Sequence, residues 1–292
     1  MSEDNKKFSW FSEFSDELIE FTQPDIMVKL ISTIDSRGWP HLTIITSNCA
    51  KSKDRIVWGQ FFAGSSKENV LKNPKQGFFY MTPEAPFKFI QAKADFTHTK
   101  TEGEDLEYFN NSDLLRYFTY FNVYKVFYNK VIGVTPIRNI PPSSISRKII
   151  KAISKESKTN LKEKRLNVIG YKLFTDKIGI RAIAYIDPSD GYPLIIPHLQ
   201  LNAVDHNRLY FPLTALKDDL LKIPDNSKVA VIGANFDMAS QVVKGKFIGI
   251  HSVENMEYGL IDIEEIYNSS PPIVGKIYPE IETRPKVEKF TL

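Results

Sequence analysis

The chain repeats itself, and a duplication constrains a fold more tightly than any local pattern, because both copies must take one architecture. Around Gly38 the segment IDSRGWPHLTIITSN leads on to DRIVWGQFF; around Gly191, IDPSDGYPLIIPHLQ leads on to NRLYFPLTA. Gly38, Pro40 and Arg55 fall on Gly191, Pro193 and Arg208 at an offset of 153. Lys67, Leu71 and Pro74 fall on Lys217, Leu221 and Pro224 at 150, and Lys93 and Phe96 on Lys244 and Phe247 at 151. Reading VIGVTPIRNIPP against LIDIEEIYNSSPP places Val134 and Ile137 on Ile263 and Ile266 at 129, which gives the first copy 22 extra residues.

Each copy reads mostly as strand. LIST and LTIIT, like IRAIAYI and PLIIPHL, flank Asp/Ser/Gly turns in which glycine takes positive φ. An aromatic strand follows (RIVWGQFF, RLYFPL), then a short helix and two more strands (GFFYM and FKFIQAKADF; KVAVIG and QVVKGKF). Many short antiparallel strands around one small helix imply barrels and not a parallel sheet. The predicted fold is mainly β (α+β): two tandem antiparallel split β-barrels with short helices, residues 1–142 and 171–292, joined by a basic linker helix over 143–170. In that linker Ser144 or Ser146 caps a helix with Ile149, Ile150 and Ile153 on one side, predicted to be solvated. The extra residues of the first copy carry Leu106, Phe109, Leu114, Leu115 and Phe118 at helical spacing, which reads as a packing helix or as a lid over a planar ligand.

Bulk properties narrow the function. A net charge of +3 on 292 residues argues against nucleic acid, so any bound anion is held locally. The single cysteine, Cys49, excludes an internal disulfide and fits a packing role in a reducing compartment. No stretch of 18 apolar residues is present, and the N-terminus has no apolar leader core, so a cytoplasmic protein without membrane contact is expected. His41, His98, His198, His206 and His251 show no ligand spacing, so no metal is expected, and Asp218-Asp219 and Glu264-Glu265 read as solvated faces.

The strongest chemical signal is Gly64-Ser65-Ser66-Lys67, which opens a helix between two aromatic strands. Such a loop presents unpaired N–H groups where the helix dipole favours negative charge. The Ser65 and Ser66 hydroxyls, the Lys67 ammonium and the Asn69 amide add donors, a set that suits phosphate.

The succession of a Gly38-Trp39-Pro40 hairpin, an aromatic strand, and then Ser65, Lys67, Asn69, Leu71, Asn73 and Pro74 resembles the FMN-binding split β-barrel family. That family includes pyridoxamine 5′-phosphate oxidase-like proteins and small flavin reductases. The resemblance covers residues 12–100 well and 171–266 more loosely. It implies FMN as cofactor, with phosphate contacts from Ser65, Ser66, Lys67 and Asn69. It also implies a ring-facing segment of Thr46, Ser47, Asn48, Trp58, Gln60 and Phe61 at an interface between barrels.

Because the family site uses two barrels, the chain is expected to supply both as an internal pseudo-dimer, with a homodimer also open. His198, Gln200 and Asn202 then approach the ring from the second copy. That copy has Leu213-Thr214-Ala215-Leu216-Lys217-Asp218-Asp219 at the helix start, where two carboxylates repel phosphate, so one flavin site per chain is expected. The chain ends ETRPKVEKFTL with Arg284 as its one late arginine, which argues against the pyridoxamine-phosphate reaction itself. The expected function is a flavin-dependent reductase or oxidase using a small-molecule substrate or a nicotinamide electron donor. The alternatives are a non-catalytic flavin-binding or structural protein, or a split barrel that holds deazaflavin or haem.

Overall fold

The computed structural model describes residues 9–60, 64–113, 116, 122–235, 239–270 and 273–285. In the first copy, helix α1 (Asp16–Phe21) starts at Ser15, whose side chain accepts from Leu18 N. It precedes strands β1 (Val28–Ile34), β2 (Pro40–Ile44), β3 (Asn48–Ser52) and β4 (Arg55–Gln60). Helix α2 (Ser65–Lys72), β5 (Lys75–Met81), β6 (Lys88–Lys100), α3 (Glu104–Asn110), β7 (Lys125–Val134) and β8 (Arg138–Asn139) complete it. After α4 (Arg147–Ser157) the pattern returns as α5 (Val168–Thr175), β9 (Ile180–Ile186), β10 (Pro193–Pro197), β11 (Asn202–Ala203) and β12 (Arg208–Pro212). Helix α6 (Lys217–Leu220), β13 (Lys228–Ala234), β14 (Ser240–Val253), β15 (Met256–Asn268), β16 (Ile273–Tyr278) and β17 (Glu282–Pro285) follow.

The two antiparallel sheets share one seven-strand order, to which β8 is added on β6 in the first and β16 and β17 beyond β15 in the second. The first runs β2-β1-β5-β6-β7-β4-β3 and the second β10-β9-β13-β14-β15-β12-β11. In each, successive strands β2 and β3, or β10 and β11, lie at opposite ends of the ladder, which makes the barrel split. Gly38 and Gly191 sit at φ +74° and +76°, the left-handed region the hairpin turns need. Both copies carry a β-bulge at one place, between Lys93 and Ala94 and between Lys244 and Gly245.

That bulge corrects the sequence alignment. Ala92 pairs with Val134 and Val243 with Ile266, so Val134 corresponds to Ile266 at an offset of 132, not to Ile263 at 129. The offset falls from 151 across β6 to 132 across β7, a difference of 19 residues and not 22. The insertion contains α3, whose Phe109 packs with Cys49, Val57, Val123, Val126 and Tyr128 on the outside of the barrel. It is a packing helix over its described part; Leu114, Leu115 and Phe118 lie outside the described residues. The linker helix α4 is capped by Ser146 and is not fully solvated, because Ile153 is buried against Val204, Tyr210, Tyr258 and Leu260 of the second barrel.

Strand alternation builds the three largest cores. Phe78 and Tyr80 face the first barrel's interior with Ile31, Trp58 and Ile90. Phe174, Ile183, Phe211, Val231 and Phe247 fill the second. Phe79 and Met81, on the other face of β5, join Leu30, Leu42 and Phe89 against Ala184, Ile195, Ile232 and Val242, so the third core lies between the copies.

Polar contacts across this seam are reciprocal. Lys93 Nζ reaches Asp187 at 3.5 Å and Asp190 at 2.5 Å; its counterpart Lys244 reaches Asp35 at 2.9 Å and Glu265 at 3.1 Å. Lys75 donates to the Asp190 carbonyl beneath the Tyr192 ring, and Lys228 to the Arg37 carbonyl, at 2.6 Å, beneath the Trp39 ring. Glu265 and Asp219 are therefore buried and ion-paired, where solvated carboxylates were expected.

A methyl group at Gly77 would lie 2.0 Å from the Pro193 carbonyl oxygen, so Gly77→Ala should lower stability by about 1–3 kcal/mol in urea unfolding. Burial opposes ionisation of Asp35, but the Lys244 charge and hydrogen bond and the Trp39 and Arg37 N–H groups outweigh it and pull the carboxyl to about 2. A lowered folded-state pKa gives stability that is present above the unfolded value of about 3.9 and lost as pH falls through 2. Asp35→Asn should accordingly lower the melting temperature at pH 7 and converge with the parent near pH 2.

Candidate functional site

The helix start singled out in the sequence is α2, which spans Ser65–Lys72. Its N-cap is Gly64 in an extended conformation, with no side chain to cap the helix, so the first-turn N–H groups point outward unmet by a capping oxygen. Two side chains fix the helix onto the hairpin: Ser66 Oγ meets Thr43 Oγ1 at 2.8 Å, and Asn69 Nδ2 donates to Thr33 Oγ1 at 3.0 Å. Both are buried, so they position the helix and are not splayed toward solvent. Ser65 Oγ donates to the Tyr267 hydroxyl at 3.1 Å, and the His41 ring stands edge-on to Tyr267 at 4.9 Å. Tyr267 belongs to β15 of the second copy, so the corner is built across the seam. Burial pushes the Lys67 ammonium below its usual range, with Glu68 pulling it back up and Lys125 adding to the fall.

The equivalent helix of the second copy is different. α6 has four residues, and Leu216 precedes it at φ 53°. Asp219, at the position of Asn69, is ion-paired with Arg138 from the first copy and with Lys222 at 3.1 Å. Lys217, at the position of Lys67, pairs with Glu257 at the surface.

The residues expected to face a ring separate into three groups. Trp58 lies in the barrel interior, stacked on Phe127 at 3.8 Å and donating from Nε1 to Gln76 Oε1 at 3.2 Å. Gln76 in turn donates to Asn129, which donates to the Ile56 and Phe127 carbonyls. Asn48 also faces inward, accepting from the Tyr80 hydroxyl at 2.8 Å, and Ser47 Oγ donates to the Gly59 carbonyl at 2.9 Å. These three serve the barrel's own hydrogen-bond network. Thr46, half-buried in the bend before β3, and Gln60, buried at the end of β4, remain beside the gap in the sheet. Phe61 lies outside the described residues.

The second-copy residues expected to reach across do not meet the α2 corner in any recorded contact. His198 Nε2 donates to the Pro212 carbonyl at 2.8 Å, and burial pushes this histidine down to about 4. Gln200 bridges the Ser143 carbonyl and Thr214. Asn202 lies in β11, opposite Tyr210. Among the described residues, Tyr267 is the second-copy side chain that hydrogen-bonds α2, and nothing in its sequence context, IEEIYN, marks it for that corner. Among the described residues no group of His, Cys, Asp and Glu is arranged to hold a metal, and no helix is long and apolar enough to cross a membrane.

No protein-family model matches the chain, and no curated protein sequence matches it. Similar solved structures include an FMN-binding protein from Syntrophomonas wolfei subsp. wolfei, 17% identical over 45% of this chain and 89% of that one, with a TM-score of 0.35. HupZ of Group A Streptococcus is 15% identical over 46% of this chain and 98% of its own, with a TM-score of 0.34. A heme binding protein from Mycobacterium smegmatis is 10% identical over 84% and 85%, with a TM-score of 0.31.

If Trp58 serves the core, Trp58→Ala should lower stability by about 3–5 kcal/mol. Thr46→Ala should stay within about 0.5 kcal/mol of the parent in the same denaturation assay. With one seven-strand order present twice, the chain is a mainly β protein built as a tandem duplication of one split β-barrel.

Proposed function

We propose that the chain binds FMN at a single site, with the phosphate at the start of α2, and acts as a flavin-dependent oxidoreductase on a small substrate. The observation that carries this reading is the contrast between the two equivalent helix starts. The α2 start is uncapped and flanked by Ser65 and Lys67, whereas the α6 start is short and holds the Asp219 carboxylate against Arg138.

A dianionic phosphate fits the donor set of the first and is repelled by the second. Ser66 and Asn69 act by anchoring the helix to Thr43 and Thr33. Tyr267 offers a hydroxyl from the other copy. For the ring, Thr46 and Gln60 are the fitting candidates, since Trp58, Ser47 and Asn48 are committed to the barrel. Bound FMN supplies the hydride or electron transfer, and the protein supplies position and polarity. The two barrels, residues 1–142 and 171–292, play unequal parts: the first holds the phosphate and the second completes the wall.

The direct test is absorbance and mass of the gently purified protein, in which a two-band flavin spectrum is expected. A Soret band would assign haem, the mass of a deazaflavin would assign that ligand, and a colourless protein that leaves added FMN fluorescent would end the proposal. Oxidation of reduced nicotinamide by the holoprotein separates an enzyme from a flavin carrier. Lys67→Ala should weaken FMN binding by about thirtyfold, or about 2 kcal/mol, while Lys217→Ala leaves it unchanged.

A further inference from the structure

The positive charge of the chain is concentrated in one segment. Residues 143–170 hold eight Lys and Arg against two Glu, a net charge of +6. The whole chain is only +3, so the remaining residues together are at −3.

A solvated charge run needs no fixed shape, but half of this one is held in place. Residues 158–167, between α4 and α5, have no regular secondary structure, yet the β11–β12 turn of the second barrel binds them side chain by side chain. Asp205 Oδ2 accepts from Thr159 N at 2.7 Å and from Thr159 Oγ1 at 2.8 Å. Asn207 Nδ2 donates to the Glu163 carbonyl at 2.8 Å, and its Oδ1 accepts from Arg165 N at 3.2 Å. His206 Nδ1 donates to the Leu166 carbonyl at 2.7 Å. The first copy keeps the main-chain part of this contact, since Phe14 N donates to the Lys53 carbonyl as Leu166 N does to that of His206. Its side chains there, Ser52 and Asp54, bond each other instead. The stitched loop is therefore an elaboration of the second copy.

Loop and turn enclose a cavity of about 530 Å³, lined by Lys155, Lys158, Lys162 and Lys164. Tyr171, stacked on His206 at 4.4 Å, belongs to its wall. The two carboxylates of the lining are already engaged: Asp205 by Thr159 and by Asn207 N, and Glu163 by Arg165 at 4.0 Å. Among the described residues, none offers the four lysines an ion pair.

We propose that this cavity is a second ligand site, separate from the α2 corner, for a small soluble molecule carrying two or more linked phosphate groups. Lysine ammoniums are mobile point charges that suit phosphate oxygens without a fixed fork geometry. A loop whose shape is set before binding loses little of that attraction to ordering. One phosphate would meet only part of a cavity this large, whereas a linked series spans several of the lysines.

The probe is inorganic tripolyphosphate, titrated calorimetrically into the full chain near physiological salt. It should bind at least about tenfold more tightly than orthophosphate. Lys158→Gln combined with Lys162→Gln should weaken it at least about tenfold. Lys148→Gln combined with Lys151→Gln removes the same charge from α4 outside the cavity and should change binding by less than about twofold. All four lysines are exposed, so neither pair of substitutions disturbs a core. Lys67→Ala should leave tripolyphosphate binding unchanged, which keeps this result separate from the flavin reading. Equal losses in the two double variants would reduce the effect to diffuse charge, and loss in Lys67→Ala alone would move the ligand to α2; either overturns the assignment. So would failure to bind tripolyphosphate, including the case in which the chain binds vesicles of phosphatidylcholine with about 30% phosphatidylserine instead.

Discussion

The structure depends on a pair of buried lysines exchanged between the two copies. Lys93 leaves the first barrel for the Asp187 turn of the second, and Lys244 leaves the second for the Asp35 turn of the first. Neither side chain is more than 8% exposed, so each charge requires its partner, and removing one side would strand the other away from water. Each turn is held open by a glycine with positive φ, and each is clamped again by Lys75 or Lys228 on a backbone carbonyl. This is the self-complementary logic of a two-fold dimer interface written into one chain. The apolar layer of Leu42, Phe79, Ile195 and Ile232 supplies area, and the lysine–aspartate pairs supply register.

With the interface doubled, the two helix positions were free to diverge. In the first copy Thr33, Thr43, Ser66 and Asn69 form two hydroxyl-centred contacts that tie α2 to β1 and β2. By strand register and offset, the second copy has Tyr185, Ile196, Leu216 and Asp219 there. Three apolar or aromatic groups replace the polar ones, the helix shrinks to four residues, and the leftover carboxylate takes an arginine from the other copy. Buried polar groups persist where they are hydrogen-bonded, and in the first copy the bonds aim the helix dipole outward at the seam. The second copy keeps the fold and lends Tyr267 to the first.

Much of this was legible in the sequence because it follows from local chemistry. Gly38 and Gly191 mark turns that need positive φ, and Lys93 and Lys244 fall at one offset because they do the same work. What escaped had a non-local cause. Apolar residues recur three apart at Val131, Val134 and Ile137 as at Ile263 and Ile266, so a slip of three residues preserves the match, and only the bulged pairing of β6 with β7 removes it. Strand β3 was missed because NCAKS has little strand character, and its pairing with Trp58 and Val57 supplies the order. Trp58 turns into the barrel interior, a side that a strand's pattern does not specify, since alternation does not say which face is the core. Asp219 and Glu265 read as solvent-facing because the cations that bury them come from distant segments.

The same distinction separates Lys29 from Arg181. Both copies bury a cation at one position of their first strand, which makes the position a feature of the duplicated fold. The planar fork of Arg181 spreads its donors over the carbonyls that trail from α5 and from Leu199, an arrangement a single ammonium cannot reproduce. At Lys29 burial, only partly offset by Cys49 and Asp25, lowers the ammonium to about 8.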